Sequence, residues 1–580
     1  VDYPLLNSDE AATARLQLAW GCSNFCSFCF EGWERKPYRE LPYAAVMDAA
    51  RRLAAASGAD TLELFAFNFN VHADILKLLE GLNGLFDRVN LMSQRADVLE
   101  RTAGMLDMEL AAEKRSFTVG VEGISAGMRA YYAKDLPTAA LMRLFERLFR
   151  ARARELKLFY IISGAETADD LAEFDRFCAD LAGLSAGAPT RVIMSAGYLV
   201  RMPFTPLGAA PAVADRTTLE SLAAALRSSA EARGAEFRLA MDWAEYEADQ
   251  ILVAGGYDLA PALAAAAEAG CAYDGGIEGD LLGRLRPVAL PPASPPLAFV
   301  RTAVDPAFVD KAAAAARARE DLGTCLETGC SACGACADPA ERQAIIGHRT
   351  AGADRAAVDR LSDLIRVKRR AKARYYRVFL PASLAGAADA FLGAYLKRRV
   401  FAAAPGLVGR LWRLEDALWR SPEWRDRMDS GTTGWTVLAA YGRDGTEPRL
   451  GAADAEILRL ALERELGAAA TELADFGADR VKRLVVRVEL GGGPAAATAA
   501  ARAWLARLRL NATESKLVDA RGLTAGRRFQ VAPKDAKKRT MAAAELKGAV
   551  LEVSGGPKLD LAGLGWVQAA ELELTDETSG

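Results

Sequence analysis

Trp20-Gly21-Cys22-Ser23-Asn24-Phe25-Cys26-Ser27-Phe28-Cys29-Phe30 places three cysteines within eight residues, spaced Cys-x3-Cys-x2-Cys. Three thiolates so close on one loop can hold one metal centre but cannot complete it, because a four-iron cluster takes four cysteines. One iron is then left open, and an open metal position is where chemistry happens. Other readings fit less well. Half a zinc site lacks partners, since structural zinc takes four ligands and no Cys or His follows until His72. Three buried thiols in eight residues would be a coincidence. A disulfide with a spare thiol fits poorly with nine cysteines, seven of them in two tight groups. That usage argues for metal in a reducing, cytoplasmic compartment.

On either side of this loop the chain alternates short apolar runs with helical patterns. Candidate strands are 15–18, 61–67, 89–92, 117–121, 156–162 and 192–200, with helices between them such as 43–56 and 139–154. Repeated βα units imply a parallel sheet with helices outside. Six units predict an α/β fold with a partial (β/α)6 TIM-like barrel over 1–210. Reactive loops in such barrels follow the C-terminal ends of the strands, and the three-cysteine loop directly follows the first one.

Residues 211–371 read as a helical extension with a Pro-rich break at 287–296. They carry a second group, Cys325, Cys330, Cys333 and Cys336, spaced Cys-x4-Cys-x2-Cys-x2-Cys. Four thiolates suffice for a closed site. The tight part resembles ferredoxin-type binding of a second [4Fe-4S] cluster; structural zinc and redox thiols are the alternatives. Gly329 and Gly334 would let the backbone fold round a metal. Residues 372–580 alternate strands (375–380, 435–441, 483–490, 528–531) with helices (454–466, 495–508). They read as an α+β domain that recognises a substrate or partner. Gly491–Gly493 is a turn or linker, because no Lys-Ser/Thr follows it.

Composition narrows the function. The 580 residues are too many for one core. A net charge of −3 gives no global case for nucleic acid or anionic membrane. No apolar run is long enough to span a bilayer, and no signal peptide is evident. With only His72 and His348 in the chain, multi-histidine catalysis is nearly excluded. His72 reads as a loop histidine and His348 as an exposed turn. Cys178 and Cys271 read as core thiols. The stretch 366–377 carries seven Lys or Arg and reads as a solvated helix face, or as a phosphate-contacting patch for RNA. Lys534, Lys537, Lys538 and Arg539 form a smaller patch. Trp412 and Trp419, seven apart, suggest helical core packing, with Trp424 and Trp435 nearby.

Cys-x3-Cys-x2-Cys with Phe28 before the last cysteine, after a first strand and before a run of βα units, resembles the radical S-adenosylmethionine (SAM) superfamily. That resemblance implies a [4Fe-4S] cluster on Cys22, Cys26 and Cys29, with SAM chelating the open iron. Reductive cleavage of SAM would give a 5'-deoxyadenosyl radical that abstracts hydrogen from a substrate. It also implies a reductant such as flavodoxin or ferredoxin. Gly120-Val121-Glu122-Gly123-Ile124-Ser125, with Arg129 and Lys134 after it, looks like the fourth-strand segment of that family, where Glu122 and Ser125 would contact SAM. Arg95 would pair with the SAM carboxylate, or else with Asp97. The segment 159–167 looks like the fifth strand and its turn, and 201–207 like the turn after strand six. Many relatives carry Gly-Gly-Glu after the second strand; this chain has Phe67-Asn68-Phe69-Asn70, so an Asn68 carbonyl would take that role. The domain order looks like bacterial radical SAM proteins joined to a radical-SAM-linked domain. Cobalamin, present in some of those relatives, is expected only with a further upstream domain, because Asp-x-His-x-x-Gly is lacking. The substrate class (RNA, peptide or small molecule) stays open. The rival expectation is a non-catalytic iron–sulfur electron carrier or RNA-binding scaffold.

Overall fold

The computed structural model describes residues 12–91, 94–134, 136–208, 215–271, 279–287, 297, 299–326, 330, 332–379, 389–416, 435–473, 481–489, 494–507, 510–518, 524–533, 542–547, 550–555 and 569–574. The N-terminal half holds seven parallel strands: β1 (Thr13–Gln17), β2 (Thr61–Phe65), β3 (Arg88–Asn90), β4 (Ser116–Glu122), β5 (Glu155–Ile162), β6 (Arg191–Tyr198) and β7 (Glu236–Leu239). They form two parallel sheets, β1-β2-β3 and β4-β5-β6-β7. β7 lies beyond the expected boundary at 210.

Local sequence explains the elements. Along β5, Leu156, Leu158, Tyr160 and Ile162 alternate inward with partly exposed neighbours, the period of a strand with one buried face. Burying each aliphatic side chain contributes about 1.5–3 kcal/mol. The following helix starts on a capping box, with Thr167 and Asp170 each bonding the other's backbone N–H. Leu141, Leu144, Phe145 and Leu148 recur at helical spacing on Thr138–Arg150 and face the core. That helix stops at Arg150, because Arg152 takes φ 55° and β5 begins at Glu155, four residues earlier than the expected end at 154.

The extension packs into the same core. Phe308, Ala312, Ala316, Cys325, Cys333 and Ile345 are buried with apolar residues of the parallel sheets and their helices. The last part of the chain has its own core. It is a four-stranded sheet of β8 (Arg374–Phe379), β9 (Leu411–Asp416), β10 (Trp435–Gly442) and β11 (Thr471–Leu473), ordered β9-β10-β8-β11. β12 (Val481–Glu489), β13 (Leu510–Val518), β14 (Thr524–Pro533), β15 (Ala542–Lys547), β16 (Val550–Gly555) and β17 (Ala569–Leu574) form a six-stranded sheet. β9, β11, β13, β15, β16 and β17 were not anticipated. Trp412 is buried as expected but on strand β9, not on a helix. Trp419, Trp424, the 534–539 patch, Gly329, Gly491–Gly493 and 288–296 lie outside the described residues. Among the described residues no helix is long and apolar enough to cross a membrane.

The basic stretch is not one solvated helix face. Its helix ends at Arg369, and Arg374–Phe379 is strand. Lys368 lies in the junction with the N-terminal half, where its Nζ donates to the Phe86 and Asp87 carbonyls at 2.7 and 3.1 Å.

Candidate metal centre

The loop carrying Cys22, Cys26 and Cys29 follows β1 and a two-residue ladder, Ala19–Trp20 against Arg39–Glu40. Gly21 makes the turn. It takes φ 78°, and a Cβ there would lie 2.0 Å from the Arg35 carbonyl oxygen, so only glycine fits. The loop is tied to segments that follow other parallel strands. Ser27 N–H donates to the Tyr132 carbonyl (3.1 Å) and Leu207 N–H to the Ser27 carbonyl (3.2 Å). Ser27 Oγ donates to the Tyr131 carbonyl at 2.7 Å. Phe28 stacks edge-on against Tyr132, with centroids 5.5 Å apart. The turn expected at 201–207 is there: Thr205 Oγ1 donates to the Met202 carbonyl and Arg201 to that of Leu207.

The Cys22 sulfur is met by three N–H groups at 3.5 Å, from the Asn24 backbone, the Asn24 amide and the Asn68 amide. One of the three is the Asn68 amide, so this side chain turns its NH2 toward the sulfur. Burial pushes the Cys29 thiol up to about 12 and raises Cys26, against the pull of Lys134 and Arg95. Burial thus favours the protonated forms of Cys26 and Cys29; a bound metal deprotonates its thiol ligands.

Two charged pairs stand near Cys26. Lys134 Nζ lies 2.9 Å from Glu122 Oε1. Glu122 ends β4 at φ 64°, a left-handed conformation that costs a non-glycine residue about 1–2 kcal/mol. Gly120 leaves room for the pair, since a Cβ there would fall 2.1 Å from Glu122 Oε1. Arg95 is buried and bonds Asp97 at 2.7 Å. Ser125 is occupied structurally: its Oγ caps the helix by accepting from Met128 N–H and donates to Asp170 Oδ1 at 2.5 Å.

The second cysteine group is docked on the first loop. Asn24 pairs with Thr324 as an antiparallel bridge, and Cys325 N–H donates to the Ser23 carbonyl at 2.8 Å. Lys36, which the sequence reading passed over, lies between the two groups. Its Nζ donates to the carbonyls of Cys22 (2.6 Å) and Asn24 (2.8 Å) and lies 3.3 Å from Cys325 Sγ, over the Phe25 ring at 3.9 Å. Cys325, Cys330, Cys333 and Cys336 all line one cavity of about 390 Å³, together with Phe25 and Arg342. Arg342 Nε lies 3.2 Å from Cys330 Sγ. Among the described residues no three Cys, His, Asp or Glu side chains are drawn together as ligands of a single ion. Four thiols round one cavity suffice for a multi-iron cluster or for a zinc ion.

His72 lies in a loop as expected, whereas His348 departs from expectation. His348 is 9% exposed at its side chain and bonds Glu40 Oε2 at 2.8 Å, so it is no exposed turn. Burial raises the Glu40 carboxyl, but the bonds to His348 and Tyr38 and the nearby His72 outweigh it and leave it below its usual range. His72 is buried. Asp74 N–H donates to its Nδ1, so Nε2 carries the proton and donates to the Leu41 carbonyl at 2.8 Å. Cys178 is a core thiol, 1% exposed, and Cys271 packs on a small satellite core.

No protein-family profile matches the chain, and no curated protein matches it. Solved structures align over part of it. One is the radical S-adenosylmethionine methyltransferase TsrM from Kitasatospora setae, with cobalamin and a [4Fe-4S] cluster bound: 20% identity, 34% of this chain, 38% of that one, TM-score 0.27. Another is HydG, a maturase of the [FeFe]-hydrogenase: 12% identity, 42% and 54%, TM-score 0.28. A third is the cobalamin-dependent S-adenosylmethionine radical enzyme OxsB: 15% identity, 28% and 26%, TM-score 0.23. This chain thus spans about 38% of TsrM and little more than half of HydG.

Proposed function

We propose that the protein is a radical SAM enzyme of a reducing compartment, with the two parallel sheets forming one partial barrel around the site. The observation that carries this is the Cys22/Cys26/Cys29 loop. It supplies three thiols and no fourth, at the C-terminal ends of parallel strands, with Glu122–Lys134 and Arg95 in electrostatic reach of Cys26. A four-iron cluster bound there with SAM supplies one-electron cleavage of the sulfonium C–S bond and a 5'-deoxyadenosyl radical. The protein's own part is orientation and charge. Asn24 and Asn68 donate to the Cys22 sulfur and stabilise it as thiolate. Glu122 and Lys134 offer a carboxylate to an ammonium and an ammonium to a carboxylate, the two ends of an amino acid. Arg95 offers a second cation, held in place by Asp97. Ser125 acts from behind, by starting the helix that presents Arg129 and leads to Lys134.

Cys325, Cys330, Cys333 and Cys336 hold a second cluster in this reading, close enough through Lys36 to exchange electrons with the first. A reduced flavodoxin or ferredoxin would be the donor.

Anaerobic reconstitution tests this. About eight irons per chain are expected, falling to about four in Cys26→Ala and in Cys333→Ala. SAM should change the electron paramagnetic resonance spectrum of the reduced Cys333→Ala protein. Four irons that leave with Cys333 alone, or a spectrum indifferent to SAM, would contradict the reading.

A further inference from the structure

At the opposite end of the strands from the cysteine loop, a cleft of about 920 Å³ lies between β3, β4, the helix Arg355–Arg369 and the last domain. Seven of its lining residues are Lys or Arg and two are Asp or Glu, a surplus of positive charge in a chain whose net charge is −3. A concave wall of one sign focuses the field and draws counter-ions into it.

The cations are arranged in order. Arg88 begins β3, Arg115 immediately precedes β4, and Arg154 immediately precedes β5. Arg154 N–H donates to the Arg115 carbonyl at 2.7 Å, so these two sit side by side at about the 4.8 Å spacing of neighbouring strands. All three are exposed. Arg115 reaches only backbone carbonyls and Arg154 the Ser116 hydroxyl, at 3.0 Å. Among the described residues none of the three has a carboxylate partner. Lys368 completes the wall from the linking helix, held by the Asn83 amide oxygen and two carbonyls. Burial pulls it down to about 7, so near neutral pH it carries only part of a charge and the exposed arginines supply most of the field. Arg369 pairs with Glu113 and Arg413 with Asp87 and Glu415 at the rim. Arg370 and Lys372, exposed, continue the positive surface beyond the cleft.

We infer that this cleft binds the phosphodiester backbone of a nucleic acid strand, through the row Arg88, Arg115 and Arg154. A row of guanidinium groups fits repeated phosphates, each able to take two N–H bonds. The cleft lies away from the cysteine loop, so it anchors a strand without occupying the metal site. This inference stands apart from the chemistry proposed above.

The test is fluorescence anisotropy of labelled single-stranded 20-mers, RNA and the same sequence in DNA, titrated with the full anaerobic protein at several salt concentrations. Affinity should fall with salt, by about 0.7 in log–log slope per phosphate contact. R88Q/R115Q/R154Q should lower that slope by about 2 and weaken binding at least tenfold. R227Q, on a distant helix, should leave both unchanged. Circular dichroism and iron content establish that each variant is folded. Tighter binding of RNA assigns the strand to RNA; equal binding assigns recognition to the backbone alone. No binding of either strand, a slope unmoved by the triple variant, or competition by pyrophosphate without any binding of strands would overturn the inference.

Discussion

The ammonium of Lys36 is buried among the Cys22 and Asn24 carbonyls, the Cys325 thiol and the face of Phe25. Replacing it with methionine keeps the volume but strips two buried carbonyls of their donor. An unsatisfied buried acceptor costs about 1–3 kcal/mol, so Lys36→Met should lose about 2–4 kcal/mol in denaturant unfolding. Lys77→Met, which removes only a cation–π contact with Tyr43, should lose under about 1 kcal/mol. Equal losses would mean that Lys36 does not bridge the two cysteine groups. Glu122 makes a second case. Its φ of 64° is strain kept at a candidate site. Glu122→Gly should not destabilise the fold by more than about 1 kcal/mol, since strain relief offsets the lost pair with Lys134. It should nevertheless weaken SAM binding about tenfold in equilibrium dialysis. Unchanged SAM affinity would relieve Glu122 of that role. The cysteine spacing made the first metal group legible and placed Asn68 near it, whereas the bridging position of Lys36 and the contact of Asn68 with Cys22 were not foreseen. Lys36 meets Cys325 across 289 positions of chain, and no local pattern encodes such a pairing.

The helix Pro306–Ala318 ends at Arg319, whose guanidinium grips the carboxylate of Asp170 at 3.0 and 2.9 Å. Asp170 in turn accepts from Ser125 and Thr167. Burial raises this carboxyl, but those bonds outweigh it and hold it at about 2. The folded value is depressed, so the stabilisation is present above the unfolded value near 4 and is lost as pH falls through about 2. Arg319 is about one third exposed, which screens the pair to about 2 kcal/mol or less. The unfolding midpoint of Arg319→Gln should therefore lie below wild type at pH 6, with the gap narrowing below about pH 4 and closing only near pH 2. A gap constant with pH would contradict this. At this level the sequence was informative where periodicity is strong: β1 to β6 and their helices follow from alternation and helical stripes. β7 was hidden because Glu236–Leu239 is four residues with one buried side chain. The late strands β13 and β15 to β17 gave little sign, because their alternation is broken by Ala, Lys and Glu.

Across the molecule, the extension is laced onto the N-terminal α/β half. Thr324 bridges Asn24, Ala351 N–H bonds the Ala73 carbonyl, Ala353 N–H bonds that of Ala103, and Thr350 Oγ1 donates to Val71. His348–Glu40 and Arg39–Glu341 close the same seam. Loss of the second metal group should loosen the seam and with it the first cysteine loop. In Cys333→Ala, hydrogen exchange should quicken over 22–26 and 323–351. It should stay unchanged over 374–473, which has its own core. Uniform quickening, or none at 22–26, would mean that the two groups are independent. The sequence announced two cysteine groups but not their contact, because docking rests on backbone bonds that any residue can make. The most direct test of the whole account is reduction of the anaerobically reconstituted protein with dithionite in the presence of SAM. The account predicts 5'-deoxyadenosine from wild type and none above background from Cys26→Ala; equal, background-level product from both would contradict it.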